Sequence, residues 1–314
     1  MQKTKKRATI VVFSCDGYED VWNPFFTLMD KYWKNCKYDV VLNTESKEYN
    51  EKFENLNIRT LNLYKSGQKV PYGKRVIEHL KAIDTEYVIT LMDDFFIRSE
   101  VDQEVLEQVM DWMDADKKIA SFCLIHHDDP HSCRYYRNEK GYKNFSLRPR
   151  YCKLNYDMQA NVWRRDVLIK SWRKYESPWE WEGPANIRSF DDGYKYYDLD
   201  DTAPFPIDYI DYKKGEWSGI RKGKWVKETV YELFDKNGIE VDYTKRGFFD
   251  EKKDIRRPRT TIKSFLREVR SYGNKRRIRA TWFRFKRLFV TKILRKDYPI
   301  NYWEYLRHKY YEKV

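Results

Sequence analysis

The sequence predicts an α/β fold in which a mainly parallel sheet carries helices on both faces. Two observations carry this reading. Apolar runs of strand length alternate with stretches of helical periodicity in the order β-α-β-β-α-β-α-β, an alternation that builds parallel sheets. The runs at the start and just before residue 93 are apolar almost throughout, as strands covered on both faces are, and both break off on polar residues.

Residues 8–16 give ATIVVF followed by the polar turn SCDGYED, a buried strand opening onto a loop. The positive start before it has the outline of a secretory leader. The apolar stretch is only as long as a strand, however, and lacks a small-residue cleavage site, so it reads as core. Residues 21–33 place Phe25, Phe26, Leu28, Met29, Tyr32 and Trp33 at helical spacings. Strands are expected at 38–44 and 58–63, and a second helix at 72–83 with Val76, Leu80 and Ile83 on one side. Residues 86–92 (EYVITLM) form a fourth strand that runs directly into Asp93 and Asp94. A helix over 101–113 and a strand over 119–125 follow. After His126 the pattern becomes irregular, with a helix expected over 161–174, the aromatic stretch SPWEWEGPANIRSF, and a helix over 225–236 closed by Asn237-Gly238. No internal repeat appears.

With 314 residues, 41% hydrophobic and 35% charged, the composition is that of a globular protein. It excludes a peptide hormone, a fibre and a mostly disordered chain. No apolar segment approaches the roughly 20 residues that span a bilayer. The net charge of +13 suggests a nucleic-acid binder until its distribution is read. Residues 252–314 hold 21 Lys or Arg against 5 Asp or Glu, leaving the preceding 251 residues slightly acidic. Five cysteines at irregular spacing allow no complete disulfide framework and point to a reducing compartment.

Asp93-Asp94 is the strongest chemical signal. Two carboxylates at the mouth of a buried strand raise each other's pKa unless a cation compensates. A hard divalent ion is the usual compensation, and it would in turn hold a diphosphate. The plainer alternative is one capping Asp and one solvated Asp. In SPWEWEG, Trp179 and Trp181 offer flat faces for a sugar ring, while Glu180 and Glu182 can accept a hydroxyl proton. The alternative there is a helix start with packed Trp and solvated Glu. Asp191-Asp192 is a second acidic pair, more simply a surface turn. In SGIRKGKW, Gly219 and Gly223 flank Arg221, Lys222 and Lys224, which suits either a basic loop closing over a diphosphate or a solvated hairpin. The segment CLIHHDDPHSC crowds Cys123, His126, His127, Asp128, Asp129, His131 and Cys133 together, but no second ligand pair completes a zinc site. His126 or His131 contacting a ligand is the better expectation.

SCDGYEDVW after the first strand, GKRVIEHL before the acidic strand, and MDDFF after it together resemble the GT-A-fold, nucleotide-sugar-dependent glycosyltransferases. More narrowly, they are similar to the bacterial transferases that assemble capsular and other cell-surface polysaccharides. The resemblance spans about residues 8–250, with SPWEWE and GIRKGKW among its more specific pieces. It implies that Asp93 and Asp94 bind Mn²⁺ or Mg²⁺ and the donor diphosphate. It implies further that Ser14, Asp16 and Gly17 approach base and ribose, that Lys74 or Arg75 reaches the nucleotide, and that Lys224 belongs to the basic loop. Glu182, with Glu180 second, sits where the acceptor enters. The chain departs from the family in having MDD rather than a strict D-x-D. It also has no histidine between His131 and His308, which leaves a metal-independent reaction open.

The tail repeats an amphipathic design over 260–272 and 276–296, with Phe265, Leu266, Trp282, Phe285 and Phe289 on apolar faces among Lys and Arg. Such helices lie in anionic lipid interfaces; packing, oligomerisation or RNA binding are the alternatives. The expected organisation is therefore a GT-A-like catalytic domain over 1–251, with a nucleotide half over about 1–125 and an acceptor half over 126–251. A basic helical extension over 252–314 follows. The expected activity is transfer of a sugar, uridine-linked for preference, to a lipid-linked or cell-surface glycan, inverting, at the inner face of the plasma membrane. A sugar nucleotidyltransferase and a nucleic-acid-associated protein are the alternatives.

Overall fold

The computed structural model describes residues 6–126, 138–149, 152, 154–210 and 216–254, together with Leu266, Arg270, Trp282, Phe283, Phe285, Lys286 and Phe289. The two expected tail helices, and His127, Asp128, Asp129, His131 and Cys133, lie otherwise outside the described residues.

The chain runs β1 (Ala8–Phe13), α1 (Glu19–Tyr32), β2 (Asp39–Thr44), β3 (Asn57–Asn62), α2 (Tyr72–Lys81), β4 (Tyr87–Met92), α3 (Gln103–Ala115) and β5 (Ile119–Cys123). It continues through β6 (Asn138–Tyr142), β7 (Phe145–Leu147), β8 (Asn161–Arg164), α4 (Arg165–Ser171), α5 (Pro178–Glu182) and β9 (Lys195–Leu199). The hairpin β10 (Ile220–Arg221) and β11 (Lys224–Trp225) precedes α6 (Lys227–Lys236) and α7 (Glu251–Asp254). A nine-stranded sheet has the order β3-β2-β1-β4-β8-β5-β9-β7-β6. The first four strands are mutually parallel, β8 runs antiparallel to both neighbours, and β5 and β9 are parallel.

Alternating residues of each central strand feed two cores, which is why these strands read as unbroken apolar runs. Ile10, Val12, Val40, Leu42, Ile89 and Leu91 pack on the side of α1 and α3 with Trp22, Phe25, Phe26, Leu106 and Met110. Val11, Phe13, Val41 and Val88 pack on the opposite side with Val76 and Leu80 of α2, Val167 and Leu168 of α4, and Trp163 and Trp172. Each such side chain contributes roughly 1.5–3 kcal/mol by leaving water.

The α/β expectation is borne out, with local differences after residue 126, where β6, β7 and β9 form in stretches that the sequence left irregular. The helix expected over 161–174 begins as strand β8, because Val162 and Trp163 fill the space between β4 and β5 and complete both ladders; only Arg165–Ser171 is helical. The helix expected from residue 225 begins at Lys227, since Trp225 pairs with Ile220 in the hairpin.

The chain turns outward from β1 to β2 and β3, then returns to place β4 on the other side of β1. This puts the C-terminal ends of β1 and β4 side by side, with Phe13 opposite Met92. A crevice opens where the strand order reverses.

Candidate active site

Ser14 leaves β1 where Asp93 leaves β4. The Ser14 hydroxyl donates to Asp93 Oδ2 and accepts from Trp22 Nε1 at 2.6 Å. Asp93 is 3% exposed. Burial first, then the neighbouring Asp94, pushes its pKa well up. Burial also pushes Asp94 up to about 7, against the opposing pull of its own backbone N–H and the Ser218 hydroxyl. Asp94 Oδ1 is buried and has no hydrogen-bond partner. Among the described residues no Lys or Arg lies at ion-pairing distance from either carboxylate.

A cavity of about 460 Å³ lies over these carboxylates. The first turn of α2 also lines it. There Arg75, 4% exposed, pairs with Glu45 and lies over the Tyr72 ring at 5.1 Å. Arg75 Nε and the Tyr72 hydroxyl are buried without partners. Gly73 brings this turn close: a Cβ there would sit 2.1 Å from the Arg173 carbonyl oxygen, and the Gly73 N–H donates to the Glu176 carbonyl at 2.8 Å. Glu176 is buried and paired with Arg188 at 2.5 Å, which anchors the segment entering α5.

Glu182, at the end of α5, lines the cavity and accepts the Met158 N–H at 2.8 Å. Trp179 stands at the rim, 78% exposed. The structure thus gathers Ser14, Arg75, Asp93, Asp94, Trp179 and Glu182 around one space.

Other sequence-derived candidates lie elsewhere. Trp181 is no acceptor platform. It is 1% exposed, stacked on Trp172 at 4.5 Å and on Tyr156 at 5.1 Å, and its indole N–H donates to Ser171 Oγ at 3.0 Å. Glu180 is the N3 residue of a capping box and accepts from the Ser177 N–H and hydroxyl, each at 2.9 Å, which engages it with the helix start rather than the cavity. Asp16 accepts the N–H groups of Glu45, Ser46 and Lys47 and the Ser46 hydroxyl. Burial opposes its charge, but these donors hold it below the usual carboxylate range. It faces an adjoining cavity of about 600 Å³ and ties the β1 loop to the end of β2. Gly17 is exposed and contributes its carbonyl to Arg246 Nη2 at 2.5 Å. Lys74 lies on the flank of α2, 3.7 Å from Glu78. Lys224 pairs with Asp254 at 2.8 Å, outside the cavity, because the hairpin turns through Lys222 and Gly223, both at positive φ. The hairpin reaches the acidic pair another way: the Gly219 N–H donates to the Asp94 carbonyl at 2.7 Å.

Asp192 accepts from the Tyr196 hydroxyl and the Tyr194 N–H, the turn expected for that pair. His126 is buried with its ring 4.2 Å from that of Phe205. Cys123 is buried with its thiol 3.2 Å from Asp157 Oδ2. Cys152 is disulfide-bonded, whereas Cys15, Cys36 and Cys123 carry thiols, so no complete disulfide framework forms.

Three residues had no assigned role in the sequence. Tyr18 and Tyr72 line the cavity. Arg246 stacks over Tyr18 at 4.6 Å, grips Asp20 through Nε at 2.8 Å, and its charge draws the Asp93 pKa down. Tyr18 sits in the quoted SCDGYED and Tyr72 opens a predicted helix, so both were visible; nothing marked Arg246.

Among the described residues no group of three or more His, Cys, Asp and Glu converges on one point. A divalent ion here would take its protein ligands from Asp93 and Asp94 and the rest from phosphate and water, a pattern that Mg²⁺-type sites use. The unpartnered Oδ1 of Asp94 fits that role.

No protein-family model matches the chain, and no curated protein sequence does. Among solved structures the chain is similar to S. aureus TarS 1-349, at 14% identity over 93% of this chain and 76% of that one, with a TM-score of 0.43. The same TarS fragment in complex with UDP gives 13% identity over the same shares and a TM-score of 0.42. The mannosyltransferase PcManGT from Pyrobaculum calidifontis, in complex with GDP-Man and Mn²⁺, is similar at 10% identity over 62% of this chain and 55% of its own, with a TM-score of 0.38.

Proposed function

We propose that this chain is a glycosyltransferase that moves a sugar from a nucleoside diphosphate donor, uridine-linked for preference, to a hydroxyl of a lipid-linked or cell-surface glycan. The observation that supports it best is the cavity at the ends of β1 and β4. There Asp94 Oδ1, with no partner of its own, lines one space with Arg75 and Tyr72, whose Nε and hydroxyl are likewise without partners, and with Glu182. A buried guanidinium and a carboxylate pair with no ion-pair partner among the described residues, lining one space, suit a diphosphate that arrives with a divalent ion.

Asp93 and Asp94 would hold Mn²⁺ or Mg²⁺, and charge neutralisation of the leaving diphosphate is what such an ion supplies when bound. Arg75 donates to the same phosphates by charge-assisted hydrogen bonds. Trp179 offers its exposed face to the acceptor ring. Glu182, oriented by the Met158 N–H, takes the proton from the acceptor hydroxyl. The acceptor oxygen then forms its bond to the anomeric carbon, and the anomeric carbon–oxygen bond to phosphate breaks, its electron pair leaving with the nucleoside diphosphate. Attack opposite the leaving group inverts the centre. A sugar nucleotidyltransferase would use the same sheet and acidic pair but would have no use for Trp179.

The basic surplus after residue 251 supports an anionic membrane surface, on the cytoplasmic side, as the place of work. Trp282, Phe285 and Phe289 are exposed there beside Lys286.

A panel of nucleotide sugars, titrated with and without Mn²⁺ and followed for slow hydrolysis, tests the reading. At least one uridine-linked sugar should bind more tightly with the ion, and binding of none would sink it. Glu182→Gln should lower turnover by about 10²–10⁴-fold while donor affinity holds; unchanged turnover removes Glu182 as the base. The full chain should sediment with phosphatidylglycerol vesicles at low salt and not with phosphatidylcholine ones; equal recovery with both counts against the membrane assignment.

A further inference from the structure

A second cavity, of about 570 Å³, lies on the other side of the chain segment that carries the acidic pair. Phe95 lines the first cavity and Phe96 the second. The partition is tight: a Cβ on Gly219 would fall 2.2 Å from the Phe96 ring. Buried Phe96, Val226 and Tyr209 contribute apolar surface to the second cavity, which has the size of a ligand site and a lining in which polar and apolar groups are mixed in comparable measure.

Arg98 and Glu216 also line it, but they are taken up in a chain of ion pairs, Arg98 with Asp208 at 2.8 Å and with Glu216 at 2.6 Å, whereas a second set of charged groups in the lining is not so engaged. The Arg221 guanidinium is held between two rings, 3.9 Å from the centre of Trp217 and 4.8 Å from that of Phe249. Among the described residues it makes no ion pair and no side-chain hydrogen bond, so its N–H edge remains available. Glu228 and Glu232 occupy successive turns of α6, Glu251 opens α7, and all three carboxylates line the same cavity. No described residue forms an ion pair with any of them. Trp217, 49% exposed, adds aromatic surface.

The mixture selects a chemical class. One available cation against three available carboxylates disfavours phosphates, nucleotides and anionic lipid. An arginine clamped in the wall disfavours a cationic peptide. Aromatic surface beside donors and acceptors of both kinds matches an uncharged polyol, whose C–H faces stack while its hydroxyls both give and accept hydrogen bonds. We infer that this cavity binds an uncharged saccharide segment of a glycan. The inference goes beyond the proposed transfer reaction and does not need it, because binding is expected with no donor present. If both hold, the glycan docks behind the acidic pair, linked to it through the Gly219 N–H on the Asp94 carbonyl.

Isothermal titration of the full chain with chitotetraose, maltotetraose and cellotetraose, without nucleotide or metal, tests this. At least one tetrasaccharide should bind with one-to-one stoichiometry. Trp217→Ala and Arg221→Gln should each weaken it about tenfold, and Glu232→Gln, a change on an exposed helix face, by a smaller factor. Trp179→Ala, at the other cavity, should leave it unchanged. The inference is overturned if none of the three binds, if binding survives both Trp217→Ala and Arg221→Gln in folded protein, or if Trp179→Ala abolishes it. It is also overturned if phosphatidylglycerol vesicles rather than sugars depend on Trp217. Titration of uridine diphosphate with Mn²⁺ in parallel separates the two readings, since lost nucleotide binding with retained sugar binding overturns only the transferase.

Discussion

Two clusters of buried carboxylates differ in how their charge is met. Asp157 and Asp198 surround Arg148, whose Nη2 lies 3.6 Å and 3.0 Å from them, with all three side chains at 4% exposure or less. Burial works against the arginine's charge, but Asp198, Cys123 and Asp157 hold its pKa up. Arg148 also donates to the Leu154 carbonyl, which fixes the segment that presents Met158 to Glu182. Asp93 and Asp94 have no Lys or Arg at ion-pairing distance among the described residues. The first cluster is complete in the folded chain, whereas the second has no such partner among the described residues and is what the proposed ion and donor would complete. Uncompensated burial, more than acidity itself, distinguishes a ligand site from scaffold.

The comparison breaks most readily at Arg148. Arg148→Met leaves two carboxylates buried without their cation and should cost about 3–5 kcal/mol, a large part of a typical domain's stability, as read from urea denaturation. A loss under about 1 kcal/mol would mean that the cluster does not depend on its arginine. The other cluster should respond with the opposite sign. Asp94→Asn removes a charge that nothing neutralises, so metal-free protein at pH 8 should melt at higher temperature, while Mn²⁺-dependent donor affinity falls by about tenfold or more. Lower stability together with unchanged affinity would place Asp94 in the scaffold.

The smallest effect is the pH dependence. The pKa of Asp94 is raised in the folded state, so the unfolded chain releases this proton first as pH rises. Stability of the metal-free protein should therefore decline between about pH 4 and pH 7 as Asp94 titrates, with Asp93 acting in the same direction. Asp94→Asn should flatten that decline, and Mn²⁺ at pH 8 should restore part of the loss. Stability that instead rises with pH across this window in wild type and variant alike would refute the assignment.

The parts of the site nearest to β1 and β4 were legible because buried parallel strands appear as long apolar runs and end abruptly. Strand β8 was not, since four residues directly followed by helix carry too little periodicity to separate from it. Trp179 and Trp181 show the limit most clearly. Two residues apart on a helix, they point about 200° apart, so one packs and one is exposed, but which one depends on Tyr156, Trp172 and Ser171. The capping role of Glu180 was written in Ser177-Pro-Trp-Glu, a spacing that marks a helix start. Lys224 misled because charge near glycine does not say where a hairpin points.

By itself the sequence determined the α/β class, the register of apolar faces and the acidic pair at a strand mouth. These depend on local periodicity and on side-chain chemistry that neighbours in the chain can express. Only the tertiary structure decided which carboxylates lack an ion-pair partner, that Arg75, Tyr72 and Asp94 line one space, and that Arg246 comes back to Tyr18. Those are pairings between distant segments, and charge compensation in a buried site depends on what lies within a few ångströms in space, whatever its distance along the chain.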